Sequence, residues 1–225
     1  MSKLTIKAFA GLSLLFVAMA ALLFVPAGTT DYWQAWAFLA VYFACSLVLS
    51  FYLMKKDPKL MERRMRGGPI AEKEPAQKII MSIVSLGFFG LLVVSALDRR
   101  FGWSQMSPGW ALAGDGLVAI GWLAIYFVFR ENSFSSATIE LAEDQRVIST
   151  GPYARLRHPM YAGALVMFTG IPIALGSWWG LLVVVAMVPA LIWRLLDEEK
   201  FLARNLTGYA GYQGSVRYRL IPWVW

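Results

Sequence analysis

The apolar residues of this chain come in runs of bilayer-spanning length, about 20 residues each, parted by short polar stretches. The first runs from Ala8 to Val25 behind Lys3 and Lys7, and the second from Trp33 to Met54. Ala18-Met19-Ala20 resembles a signal-peptide cleavage pattern, but the apolar run continues past it to Pro26, so an uncleaved span is expected. Pro26 to Asp31 reads as a tight turn that makes these two runs a hairpin, with Tyr32, Trp33 and Trp36 as an interfacial aromatic belt. Ile79–Leu97 and Pro108–Phe129 follow, and Gly114, Gly116 and Gly121 on the latter permit close helix contact. The last two runs, Pro159–Leu175 and Trp178–Trp193, are short, each contains a proline (Pro172, Pro189), and they meet at Gly176-Ser177. They are expected to form a re-entering pair, tilted, kinked or only partly spanning. The pattern therefore predicts an all-α polytopic membrane protein with five to six transmembrane helices, the last two forming a helical hairpin.

The charges refine this picture. Lys55 to Lys78 is a polar loop rich in cations, started by Lys56-Asp57-Pro58 and broken by Gly67-Gly68-Pro69. If the N-terminus, this loop, the 130–157 segment and the tail share one side, that side holds every Lys and Arg of the 21 except Arg99 and Arg100. The Lys/Arg bias then places both termini in the cytoplasm. The loop reads as a topology signal, and a specific lipid-binding site is the narrower alternative. Within 130–150, the alternation Ala137-Thr138-Ile139-Glu140-Leu141 suggests a short extended piece and Glu143-Asp144-Gln145 a turn.

At 58% hydrophobic over 225 residues, the chain is too apolar for a soluble domain. Its net charge of +7 follows the membrane-flanking loops, so nucleic acid is not the expected partner. One cysteine, Cys45, lies inside a span as a packing residue, and there is one histidine. No disulfide framework within one chain and no metal centre is expected from so few ligands. With no internal repeat, the chain reads as one integral membrane domain over 1–225, with four spans in 1–129 and a second region, 130–225, that carries the candidate chemistry.

The candidate chemistry concentrates in Gly151 to Gly163, GPYARLRHPMYAG. Gly151-Pro152 sets a turn, Arg155 and Arg157 bring cations to the membrane boundary, and Pro159 after His158 suits a first helical turn. A loop feeding a helix N-terminus, with unpaired amides and the positive dipole end, is a natural seat for an anionic or carboxylate-bearing ligand. A juxtamembrane turn with snorkelling arginines fits the same residues. Upstream, Glu131-Asn132 ends the fourth span, where a carboxylate and an amide reach either a buried ligand or solvent. Downstream, Arg194 and Glu198 stand four apart on one helical face, which also fits a simple ion pair.

GPYARLRHPMYAG resembles the signature of the isoprenylcysteine carboxyl methyltransferase family, which is itself similar to the phospholipid methyltransferases. Two further elements carry the resemblance: Arg194-Leu195-Leu196-Asp197-Glu198-Glu199, and a tyrosine-bearing tail, Gly208-Tyr209 to Tyr212 and then Arg219-Leu220-Ile221-Pro222. The match extends from Glu131-Asn132 to the end, in the family's order and spacing. It implies S-adenosyl-L-methionine as cofactor, a cytoplasmic pocket built by the C-terminal half, and a location in the bacterial inner membrane. It implies that Tyr153, Arg157, His158, Pro159, Tyr161, Gly163, Glu198 and Glu199 form the donor site. Arg194, Glu198 and Arg204 become the catalytic candidates, with Arg194 and Asn132 toward the substrate.

Methyl transfer from a sulfonium needs no general acid, and a carboxylate acceptor needs no general base. It needs in-line positioning, a cation to orient the carboxylate, and a dry pocket that favours charge annihilation. A lipophilic acceptor would enter sideways from the bilayer while the donor arrives from water. The resemblance implies a prenylated cysteine carboxylate; a small thiol or a phospholipid amine stays open, the amine requiring deprotonation. Two readings of other classes also stay open. Sterol-type reductases carry a similar Arg-His-Pro element and would use NADPH, and a non-enzymatic protein could use Lys55–Lys78 to bind anionic lipid. No GxGxxG opens a helix after a strand, so a Rossmann-type donor site is not supported.

Overall fold

The computed structural model describes residues 3–142 and 144–225. Its elements are α1 (Lys3–Ala27), α2 (Trp33–Lys56), α3 (Pro58–Met65), α4 (Pro75–Phe101), α5 (Pro108–Glu131), α6 (Pro159–Ala174), α7 (Trp179–Asn205) and α8 (Tyr209–Ser215). Helices α1, α2, α4, α5 and α7 are long and apolar enough to cross a membrane, and α6 is a shorter apolar helix. The protein is an all-helical integral membrane protein. Large apolar side chains such as Leu14, Val25, Val48, Leu86, Ile120 and Val185 are exposed on these helices, as a lipid-facing surface requires.

Proline sets several helix starts. Pro58, Pro75, Pro108 and Pro159 each stand in the first turn, where the missing N–H is no loss. Asp57 accepts a hydrogen bond from Leu60 N at 2.9 Å and caps α3. The Lys55–Lys78 stretch, expected as an open polar loop, is therefore partly helical. Its cations had hidden a capped helix from the hydropathy pattern. Residues 137–141 form no strand; their backbone groups bond instead to side chains of neighbouring elements. At the expected turn, Gln145 N donates to Ala142 O at 3.2 Å and Asp144 takes a left-handed φ of 57°. Glu143 lies outside the described residues.

The last span differs most from expectation. The apolar run ends at Trp193, but α7, 27 residues in all, continues to Asn205. Hydropathy marks where the chain leaves the apolar layer, whereas Arg194 to Arg204 consists largely of good helix formers, so the helix does not stop there. At 16 residues α6 is about 24 Å long, less than the roughly 30 Å of a bilayer core.

Helices α5 and α6 touch through glycine. A Cβ on Gly114 would lie 2.1 Å from Ala174 N, one on Gly121 would lie 2.7 Å from Gly163 O, and one on Gly170 would lie 2.8 Å from Gly114 O. Gly116 meets nothing, because it sits on the other face of α5. The far end of the molecule is tied by Asp98, which is buried and accepts from Ser104 N, Ser104 Oγ and Ser177 Oγ, each at 2.6 Å. Tyr32 is fully buried rather than interfacial, and its hydroxyl donates to Leu175 O at 2.6 Å. Trp33 and Trp36 remain exposed.

Arg99 and Arg100 bond to Asp31 O and Pro26 O at this same far end. The 57–74 and 132–158 segments and the tail gather at the other end, through bonds such as Arg63 Nη1 to Ser133 O and Arg157 Nε to Val216 O. Gly114→Ala is expected to lower the unfolding free energy in micelles by about 2 kcal/mol or more, because backbone has to move. Gly116→Ala should be near neutral, and thermal unfolding of both variants measures the difference.

Candidate functional site

A cavity of about 520 Å³ opens at the basic end. That is within the roughly 300–1,000 Å³ usual for small-molecule sites. Its inner wall comes from Leu49, Leu53, Met81, Val84, Trp122 and Ile125 on α2, α4 and α5. The polar end is formed by Arg64, Asn132, Tyr153, Arg157, His158, Tyr161, Arg194, Glu198, Tyr209 and Tyr212. One compartment thus joins a membrane-level apolar wall to a charged mouth.

Two hydrogen-bonded assemblies shape that mouth. In the first, the Glu199 carboxylate is buried between Arg157 Nη1 (3.0 Å), His158 Nε2 (3.3 Å) and Arg219 Nε (3.0 Å). Arg157 also donates to Val216 O and Arg217 O, while Arg157 N and His158 N pair with Tyr218 O and Arg219 O at 2.9 Å. The 151–158 turn is therefore fastened to both α7 and the tail. Gly151 takes a left-handed φ of 57°, and a Cβ there would lie 2.9 Å from the Glu131 carboxyl carbon. Only glycine fits. Thr150 Oγ1 donates to Glu131 Oε1, so Glu131 braces the turn and does not line the cavity.

The second assembly centres on Arg194. Its Nη2 pairs with Glu72 Oε1 at 2.8 Å and donates to Ala137 O at 3.1 Å, its Nη1 donates to Gln77 Oε1 at 2.7 Å, and its Nε donates to Tyr161 Oη at 3.1 Å. Tyr161 Oη in turn donates to Glu198 Oε2 at 2.7 Å. No direct Arg194–Glu198 ion pair forms; the tyrosine hydroxyl stands between them. Gln77 Nε2 also donates to Asp197 Oδ2, which draws the start of α4 onto α7.

The sequence-derived candidates thus fall into three groups. Asn132, Tyr153, Arg157, His158, Pro159, Tyr161, Arg194 and Glu198 line the cavity together. Glu199 stands behind the wall and holds it. Gly163 packs against Gly121 O and Ala124 in the α5–α6 contact, and Arg204 lies on an exposed face of α7, so neither is brought to the cavity. Sequence reasoning missed Glu72, Gln77 and Arg64. Glu72 is buried although it sits in the most charged loop, and the composition of that loop gives no sign of it.

Asn132 Nδ2 donates to Tyr153 Oη at 2.9 Å, and burial pushes the Tyr153 phenol up to about 12. Burial likewise raises Tyr209 and Tyr212. These phenols are neutral at physiological pH. Tyr212 Oη donates to Tyr153 O at 2.8 Å, whereas Tyr209 Oη is buried without a hydrogen-bond partner. An orphaned hydroxyl on a cavity wall fits a polar ligand atom that completes its bonding. Removing one partner of the Glu72–Arg194 pair leaves the other charge buried. Glu72→Ala is expected to cost about 3 kcal/mol, and Glu72→Ala with Arg194→Met to recover part of it, as read by a double-mutant cycle of unfolding.

Residues 110–207 match the model of the phospholipid methyltransferase family, membrane methyltransferases that use S-adenosylmethionine. The matched stretch runs from α5 to just past the end of α7. It leaves out α3, the segment between α3 and α4, and the tail, which supply Arg64, Glu72, Tyr209 and Arg219. No curated protein matches the chain.

Proposed function

We propose that this protein is an S-adenosylmethionine-dependent membrane methyltransferase, with the donor at the polar end of the cavity and a lipophilic acceptor along its apolar wall. The observation that carries this reading is the single cavity in which Glu198, His158 and the unpartnered Tyr209 hydroxyl face the same space as the membrane-level wall of α2, α4 and α5. The family match over 110–207 supports it. The catalytic region is then 130–225, completed by side chains of the N-terminal spans.

When bound, the donor supplies an electrophilic methyl group on a cationic sulfur. Glu198, held by Tyr161 through one oxygen, keeps the other for the donor's ammonium or ribose hydroxyls. Tyr209 offers a neutral phenol, Asn132 and Tyr153 a bonded pair of polar groups, and His158 with Pro159 the wall above the cavity. Glu199 and Arg157 act one step back, fixing the turn that carries His158. Arg194 orients Glu198 through Tyr161. To hold a substrate carboxylate directly, it would have to release Glu72.

A carboxylate acceptor of the prenylcysteine type would be ionised already, so this chain's task is positioning and exclusion of water rather than proton abstraction. A thiol or a phospholipid amine are the alternative acceptors. The basic end faces the cytoplasm in this reading, in a bacterial inner membrane, where the water-soluble donor can enter.

Calorimetric titration of the micelle-purified protein with S-adenosylhomocysteine tests the donor assignment, with NADPH as the contrasting ligand. Binding of the homocysteine nucleoside alone is expected. Glu198→Ala should weaken it by about 10- to 100-fold, and Tyr209→Phe by about 3- to 10-fold without lowering the melting temperature. NADPH binding instead, or no binding of either by folded protein, would sink the reading.

A further inference from the structure

Arg64 is a part-buried cation of the cavity wall that makes no ion pair among the described residues. It lies on α3, in the stretch whose charges set topology, yet its side chain is turned to the cavity wall. Its Nη1 donates to Ser136 O at 2.8 Å and approaches Met160 Sδ at 3.7 Å, and its guanidinium carbon sits 5.0 Å from the centre of the Phe129 ring. Among the described residues, no carboxylate lies within ion-pair distance of it. Of the other arginines that line the cavity, Arg194 is matched by Glu72 and Arg157 by Glu199, while Arg146 is exposed to solvent. Burial lowers the proton affinity of Arg64, as expected of a cation drawn away from water.

An unpaired guanidinium turned inward is expensive to maintain. Arg63, next in the chain, shows the cheaper arrangement: its Nη1 bonds to Ser133 O at an exposed site. Among the described residues, Arg64 Nε and Nη2 have no protein acceptor. Those two groups form the side of the guanidinium fork that matches two oxygens of a carboxylate or phosphate. Glu198 lies on the same wall with one oxygen uncommitted, so the mouth presents separate positive and negative points. A ligand carrying both charges, or two ligands each carrying one, would satisfy them.

We propose that Arg64 binds an anionic oxygen group of a substrate, either the α-carboxylate of the methyl donor or the anionic headgroup of the acceptor. The donor arm rests on the methyltransferase reading; the acceptor arm does not. This role belongs to a helix outside the stretch that matches the methyltransferase family, so ligand charge would be selected by α3 rather than by the matched region.

The test compares wild type, Arg64→Gln and, as a control of equal charge change, Arg63→Gln, all in neutral-detergent micelles. Each is titrated with S-adenosylhomocysteine, with methylthioadenosine, which lacks the carboxylate, and with lysophosphatidate beside a monoacylglycerol of the same chain. If Arg64 holds the donor carboxylate, Arg64→Gln weakens S-adenosylhomocysteine by about 10- to 100-fold and leaves methylthioadenosine unchanged. If it holds an acceptor anion, wild type prefers lysophosphatidate over the monoacylglycerol, and that preference is lost in Arg64→Gln alone. Either result supports the proposal. Failure of wild type to bind S-adenosylhomocysteine, with the lysophosphatidate preference intact and dependent on Arg64, would overturn the donor reading but keep the anion site. Unchanged behaviour of Arg64→Gln with every ligand, or an equal effect of Arg63→Gln, would overturn the proposal.

Discussion

A buried carboxylate on α7 has to be neutralised where it stands, and much of the basic end is arranged around that requirement. Glu199 draws Arg157 and His158 from the loop before α6 and Arg219 from the tail. Two stretches that are far apart in sequence are thereby fixed against one helix. Each additional bond reduces the cost of burying the charge, and the backbone pairing of 157–158 with 218–219 follows from the same approach. Without that convergence, the turn bearing His158 would have no reason to face the cavity.

The second organising feature is how charge is divided along α7. Arg194, Glu198 and Glu199 lie within little more than one turn, yet each has a different fate. Arg194 is matched by Glu72 and Gln77, Glu199 by two arginines and the His158 ring, and Glu198, among the described residues, by the Tyr161 hydroxyl. Among the described residues, the groups left unmet at the cavity include one Glu198 oxygen, the Tyr209 hydroxyl and the Arg64 fork. Charges that are internally satisfied build the wall, and those that are not are the ones able to meet a ligand. Close packing of α5 on α6 through glycine keeps this arrangement compact and places the loop before α6 next to the end of α5.

Much of this was legible in the residues. Runs of apolar side chains marked the spans, prolines marked helix starts, and the Lys/Arg asymmetry gathered the right segments at one end. The cluster of Asn132, Tyr153, His158, Tyr161 and Glu198 was also readable, through motifs in a resembling family. Other features were misplaced for physical reasons. A drop in hydropathy at Arg194 ends a membrane layer but not a helix, so α7 read as too short. Gly163 lies within a motif, but its lack of a side chain serves contact with Gly121. Tyr32 has the position of an interfacial aromatic and is nevertheless buried.

The sequence by itself determined that the chain enters the membrane, that it does so as helices, and roughly where each begins. Those outcomes depend on local quantities, namely hydropathy summed over a span, a missing N–H, and charge on either side of an apolar run. Only the tertiary structure decided which charges are spent on one another. Whether Arg194 is free or held, and whether Arg64 or Arg63 faces inward, depends on the distance to groups scores of residues away. Electrostatic pairing falls off with separation and is screened by water. The same guanidinium is therefore a topology marker in one place and an unmet charge in another, and only packing distinguishes the two.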